Sequence, residues 1–230
     1  MDWETPSRLL DRAIKLAPAY QLAYMGKGDI LIRLGRNREA RRALEKAVTL
    51  EATDTGEEIK FVGAETYLGW LDFLDGDLDA SEHRLRESRL RVMSSEHVYA
   101  PQFLCLTLCC LGDVAEARGD LDKAIESLRE ALASGERHVR ALGMGRILVR
   151  AGFALARVLH RADRLEEASE VASRAETLFA RREQFDFSPS WLVADADILM
   201  QQATYLEIAG RAGEAQAIRV RVLESGWISA

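Results

Sequence analysis

The sequence has little of what membrane-spanning and disulfide-bonded proteins carry. Of its 230 residues only 3 are cysteine and 4 are proline. No apolar run approaches the roughly 18 residues of a membrane-spanning helix. The first residues, Met1-Asp2-Trp3-Glu4, lack the basic region and apolar core of a signal peptide. We therefore expect no membrane contact and a cytoplasmic location.

Motifs of catalytic and metal sites are also missing. There is no GxxxxGK phosphate loop, no HExxH and no GxSxG, and Gly143-Met144-Gly145 lies in a helical pattern without a preceding strand. Cys105, Cys109 and Cys110 fall on one predicted helix, but a zinc site would need further His or Cys ligands from another segment. We expect three buried structural thiols, no metal, no cofactor and no enzyme activity.

One short pattern, by contrast, occurs five times. Each copy is a tight turn followed by the start of a helix that bears Ala or, once, Ser. The turn residues, separated by 41, 43, 44 and 47 residues, are Gly35, Gly76, Gly119, Asp163 and Gly210. Such repetition is the signature of stacked helical units, each of which contacts mainly its neighbours. The pattern predicts an all-α solenoid.

Each repeat also carries a small residue at a fixed position of its first helix. In the first four repeats the second helix carries an apolar residue, large or small, at a matching position. In the first helix the small residues are Gly28, Gly69, Gly112, Ala156 and Ala203. In the second helix of the first four repeats, Leu44, Leu85, Leu128 and Ala172 lie four residues beyond the early Ala or Ser. A missing side chain lets two helices approach closely, and large apolar neighbours fill the remaining gap. We expect the two helices of a repeat to pack tightly at these positions.

The combined pattern resembles the tetratricopeptide repeat. That family places Leu-Gly near the middle of its first helix and Ala at two positions of its second. The matching residues here are Leu68-Gly69 and Leu111-Gly112, then Ala40, Ala124, Ala168 and Ala215, then Ala47, Ala131 and Ala175. The repeats are longer than the usual length of about 34 residues and lack the closing Pro. In this they resemble the repeats of bacterial MalT-like transcription activators.

The resemblance implies one right-handed solenoid of about eleven antiparallel helices over residues 1–230. A half repeat would occupy residues 1–19 and be followed by five full repeats. The full repeats would span residues 20–54, 61–98, 101–136, 139–181 and 188–226. Because a solenoid needs polar caps and this one has a half repeat at one end and no clear cap at the other, two alternatives stay open: the chain is part of a longer protein, or its ends pack on another copy.

The most basic segment, residues 137–164, holds seven Arg and one acid in a chain of net charge −6. Within it Arg146, Arg150, Arg157 and Arg161 are separated by 4, 7 and 4 residues. At about 100° per residue they fall in one sector of about 60°. The alignment with the family places the last three where tetratricopeptide repeats line their concave groove.

This arginine stripe, Arg146, Arg150, Arg157 and Arg161, has two interpretations. Arg binds carboxylates and phosphates through its planar fork, so the stripe could hold an acidic or phosphorylated partner. Alternatively, acids on the neighbouring first helices pair with it, and the candidates are Asp113, Glu116, Asp197 and Glu207. The acidic chain and the absence of aromatic residues among the arginines argue against nucleic acid.

Aromatic residues mark a second candidate surface. Tyr67, Trp70 and Phe73 stand at three-residue steps, and the alignment places Trp70 and Phe73 on the groove side. They are either apolar anchors for a peptide or ordinary core between repeats.

The resemblance favours a non-catalytic scaffold that binds a protein or peptide through its concave face in bacterial signalling or regulation. The alternative is the ligand-sensing, oligomerising domain of a MalT-like activator.

Overall fold

Helices make up almost all of the described chain. The computed structural model describes residues 4–52, 63–141, 143–181 and 195–224. These residues form eleven helices and no strand, which confirms the predicted all-α solenoid fold. The helices are α1 (Glu4–Leu16), α2 (Gln21–Arg33), α3 (Asn37–Ala52), α4 (Ala64–Leu74), α5 (Leu78–Met93), α6 (Ala100–Ala117), α7 (Leu121–Arg137), α8 (Met144–Arg161), α9 (Leu165–Ala180), α10 (Asp195–Ile208) and α11 (Ala212–Glu224).

The chain divides into two compact units, with the boundary between Phe103 and Leu104 in α6. In the first unit α2 packs on α3 and α4 on α5, while α3 contacts α4 and α1 packs on α2. In the second unit α8 packs on α9 and α10 on α11, while α7 contacts α8, and α8 contacts α10. A helix thus packs on its partner within a repeat and on the next repeat. That the repeats form a single domain over residues 1–230 stays a prediction.

The five turns share one backbone conformation, including the turn without a glycine. Gly35, Gly76, Gly119 and Gly210 have φ between 69° and 82°, and Asp163 has φ 58°. This left-handed region favours Gly, and Asp is among the few other residues that tolerate it. After each turn residue, the next N–H donates to the carbonyl five positions earlier, as Arg164 does to Leu159 at 2.9 Å. This bond closes the end of the first helix of each repeat.

In three repeats the two helices are in close contact through an equivalent Gly–Leu pair. A methyl group at Gly28, Gly69 or Gly112 would lie 2.5, 2.7 or 2.8 Å from the Cγ of Leu44, Leu85 or Leu128, respectively. No side chain fits in this space, because carbon atoms do not approach below about 3.5 Å at optimal contact. At these three of the five predicted positions, the two helices of a repeat are packed closely enough to require glycine.

Helix α6, most of which lies in the second unit, is strongly apolar. Its thiols Cys105, Cys109 and Cys110 are free and buried. Burial raises the pKa of Cys105 to about 12 and that of Cys109 to about 11, and it also raises the pKa of Cys110. Contrary to the sequence-based expectation, α6 is long and apolar enough to cross a membrane, but 78% of it is buried within the protein, as in a core helix.

Candidate functional site

The arginine stripe lies on α8, at the centre of the second unit. Arg146 and Arg150 are only 7% and 5% exposed. The side chain of Arg157 is 11% exposed, and only that of Arg161 reaches solvent substantially, at 44%. Most of the stripe therefore faces the neighbouring helices.

Two carboxylates of α6 accept hydrogen bonds from three of the four arginines of the stripe. Arg150 Nη2 donates to Asp113 Oδ2 at 2.8 Å, and Arg157 Nη2 donates to Asp113 Oδ1 at 3.1 Å. Arg157 also holds Glu116 through Nη2 at 2.5 Å and through Nε at 3.1 Å. Arg161 Nη1 donates to Glu116 Oε1 at 2.8 Å.

Helix α10 meets the stripe from its other side. Arg146 Nη1 pairs with Asp195, the first residue of α10, and Arg157 Nη1 donates to the side-chain amide oxygen of Gln201. We call the connected group of these side chains the ionic network. It consists of the four arginines of the stripe with Asp113, Glu116, Asp195 and Gln201. It connects the first helices of three consecutive repeats, α6, α8 and α10.

Charged neighbours favour the charge of Arg150. Burial is the largest single influence and opposes this charge, but the carboxylate of Asp113 and smaller contributions that include Asp197 together outweigh it, so the pKa of Arg150 lies above its usual value. Of the four acids considered from the sequence, Asp113 and Glu116 bind the stripe directly, whereas Glu207 pairs with Arg219 of α11.

These contacts agree with pairing between neighbouring helices, and Arg146 and Arg150 are the most deeply buried members of the stripe. Arg161 is the accessible member of the stripe, and half-buried His160 beside it meets the ring of Tyr205 edge-on at 6.5 Å. As contacts for a partner, the four arginines stay a prediction.

The first unit holds a similar cluster that the sequence did not indicate to us. Arg84 of α5 donates to Glu65 at 2.9 Å and to Asp72 at 2.8 Å, both on α4. Arg41 of α3 donates to the other oxygen of Asp72 at 2.7 Å and to Asp75 at 2.8 Å. The available signal was the presence of two carboxylates, Glu65 and Asp72, on a helix that is otherwise mostly apolar, since buried acids need partners.

The aromatic residues of α4 divide between core and surface. Tyr67 is 5% exposed and meets the Phe103 ring edge-on at 6.1 Å, so it belongs to the core. Trp70 and Phe73 are partly exposed and stack on each other, with 5.4 Å between ring centroids and 25° between planes. Leu74 follows at 45% exposed. We call Trp70, Phe73 and Leu74 the aromatic patch.

Within the part of the chain that the structure describes, no three His, Cys, Asp or Glu side chains are grouped so that they could hold a metal ion.

Comparisons with known proteins agree on the repeat. The tetratricopeptide repeat family matches residues 22–54 and 107–134, which contain α2–α3 and most of α6–α7. No curated protein matches the chain significantly. The crystal structure of MamA is similar with a TM-score of 0.50 at 19% identity, covering 80% of this chain and 92% of that one. The structure of BtubC (BKLC) from P. vanneervenii is similar with a TM-score of 0.60 at 14% identity, covering 99% of this chain and 92% of that one.

At these identities the two structures support the fold alone. The chain is thus a helical solenoid in which residues 22–54 and 107–134 match the tetratricopeptide repeat.

Proposed function

We propose that this protein is a non-catalytic binding module that holds a protein or peptide partner against the aromatic patch of α4. Tetratricopeptide repeats generally mediate interactions between proteins. The observation that carries the proposal is the partly exposed stack of Trp70 and Phe73, continued by exposed Leu74.

The patch has the geometry of an anchor site. Residues three and four apart lie on one face of a helix, so the patch forms one continuous apolar strip. The opposite face of α4 is anchored to the protein, because Leu71 is fully buried and Asp72 forms ion pairs with Arg41 and Arg84. Large aromatic side chains on a rigid support are the residues that most often dominate binding energy at interfaces.

A paired capture experiment tests this proposal. Wild-type protein and the variant Trp70→Ala/Phe73→Ala are immobilised and exposed to extract of the expressing cells, and the bound proteins are identified. The control, Leu90→Ala/Met93→Ala, removes two side chains of α5 that are 69% and 58% exposed. We expect a partner that wild-type and control retain and the aromatic variant loses. Equal retention by all three proteins would contradict the assignment to the aromatic patch.

Independently of the aromatic patch, Arg161 is the proposed contact for an acidic group of a partner that binds the second unit. It is the exposed end of the ionic network, and one of its guanidinium nitrogens already binds Glu116. Arg161→Ala should weaken capture of an acidic partner without unfolding the protein. Reversal of Arg150 to Glu would not test this contact, because a buried acid beside Asp113 destabilises the fold itself.

A second candidate function is the sensing and oligomerising domain of a MalT-like regulator, active in the cytoplasm. The observation in its favour is that α1 presents large apolar side chains to solvent, with Leu9 at 62% and Leu16 at 78% exposed. They are seven residues apart and so share a face. Sedimentation velocity over a wide concentration range tests this: self-association that Leu9→Ser/Leu16→Ser abolishes would support it, and a monomer throughout would reject it.

A further inference from the structure

A half-open cavity of about 430 Å³ lies in the second unit, between the second helices of the third and fourth repeats. Its walls come from α7 and α9, and part of α8 forms its floor. The aliphatic residues of its lining are Leu132, Val139, Leu148, Val171, Ala175 and Leu178. It is distinct from the ionic network and from the aromatic patch, since it shares no residue with either.

The cavity occurs where the fourth repeat departs from the others in sequence. Gly152 of α8 occupies a position where the other four repeats have Tyr24, Glu65, Leu108 and Leu199. It lies against Ala175 of α9, where an added methyl group would be 2.9 Å from the Ala175 Cβ. Gly152 and Ala175 both line the cavity, so neither helix contributes a large side chain at this point.

The size and lining match a small apolar ligand. Sites for small molecules typically measure about 300–1,000 Å³ and are lined mainly by apolar groups with a few polar ones. Among the lining residues that the structure describes, the walls are aliphatic and include no aromatic ring, which suits a flexible hydrocarbon chain. The polar lining is Ser173, Thr177, Glu136, Arg174 and Arg181.

The described lining of the cavity has a net positive charge in a protein of net charge −6. Among the lining residues that the structure describes, Arg174 and Arg181 are basic and Glu136 is the one acid. It receives a hydrogen bond from Arg174 at 3.0 Å, but both side chains are more than half exposed, so this pair constrains Arg174 weakly.

We propose that this cavity binds an anionic amphiphile of the fatty-acid class, with its hydrocarbon chain between α7 and α9 and its carboxylate at Arg181. Arg181 is the cap residue that directly follows the last residue of α9, Ala180. Its guanidinium can offer a carboxylate two parallel hydrogen bonds. The proposal is independent of the binding function assigned to the aromatic patch.

Isothermal titration with dodecanoate, below its micelle-forming concentration, tests the proposal. The other titrants are 1-dodecanol and dodecyltrimethylammonium, which keep the chain but remove or invert the charge. Ser173→Trp places a large ring in the lining, and Ser169→Trp, one turn earlier on α9 and also exposed, is the matched control. Arg181→Glu removes the proposed head contact, and Arg181→Lys retains its charge.

We expect saturable binding of one dodecanoate to wild-type, to Ser169→Trp and, more weakly, to Arg181→Lys. Ser173→Trp and Arg181→Glu should each weaken it at least tenfold. Absence of saturable binding to wild-type, or unchanged binding to Ser173→Trp, would overturn the proposal. Equal affinity for dodecanol or for the cationic titrant would also overturn it, and would point to an apolar occupant of another class, such as an aliphatic side chain of a protein partner.

Discussion

Removal of the Asp113 carboxylate should destabilise the protein more than removal of any exposed acid. Asp113 is 6% exposed and accepts hydrogen bonds from two arginines, Arg150 and Arg157. In Asp113→Ala, Arg157 keeps Glu116, but Arg150 loses its hydrogen bond to Asp113 and stays buried. Loss of one partner of a buried ion pair typically costs about 3–5 kcal/mol. Since Asp197 still favours the charge of Arg150, we expect a value near the lower limit, about 3 kcal/mol.

The free energy of unfolding measured by urea denaturation checks this value. Glu167→Ala serves as the exposed control, because Glu167 pairs with Arg129 at 2.6 Å while the side chains are 43% and 48% exposed. It should lose less than about 1 kcal/mol. Hydrogen exchange of the α8 amides should show the loss of protection in Asp113→Ala and not in the control.

A double variant separates an unpaired charge from lost packing. Asp113→Leu/Arg150→Met replaces the ion pair with apolar side chains and should recover most of the stability lost in Asp113→Ala, since such replacements are often neutral or stabilising. If Asp113→Ala loses no more than Glu167→Ala, the ionic network does not stabilise the second unit, and our account of the arginine stripe is incorrect.

Two further predictions concern packing and thiol reactivity. Gly69→Ala would place a methyl group 2.7 Å from Leu85 and should lower the free energy of unfolding by about 1–3 kcal/mol through overpacking. Gly213→Ala, with open space around it, should leave the free energy of unfolding in urea unchanged or raise it by up to about 1 kcal/mol. Equal effects would refute the close-packing account. With the pKa of Cys109 raised to about 11, roughly a thousandth of this thiol is ionised at pH 8, so iodoacetamide should label it only in denaturant; rapid labelling of folded protein, located by peptide mass, would contradict its burial.

The repeat register could be predicted because each turn depends on local backbone chemistry. A left-handed residue after the first helix needs Gly or a tolerant substitute, and the spacing alone identified Asp163 as that substitute. The contacts of Gly28, Gly69 and Gly112 were likewise predictable, because a missing side chain lets two helices approach closely.

The candidate sites were less predictable, because a helix has one sequence but several neighbours. Periodicity placed the four arginines on one face of α8, but the burial of Arg146 and Arg150 depends on how closely α6 and α10 approach. The carboxylates Asp113 and Glu116 were identifiable as candidates, whereas the role of Arg84 between two acids of α4 was not. The cavity depends on small residues of α8 and α9. The sequence shows that they are small, but only the packed helices show that they face each other.

The ionic network has a consequence for how this array folds. In a solenoid the stability of each repeat is approximately its own plus that of its interfaces, so terminal repeats can fray alone. Here the arginines of α8 depend on acids from both sides, Asp113 of α6 and Asp195 of α10. Fraying of α10 would therefore deprive Arg146 and Arg157 of partners in the repeat before it. The third, fourth and fifth repeats should consequently unfold as one cooperative block, so that a chain shortened after residue 181 would lose more stability than its missing helices contribute.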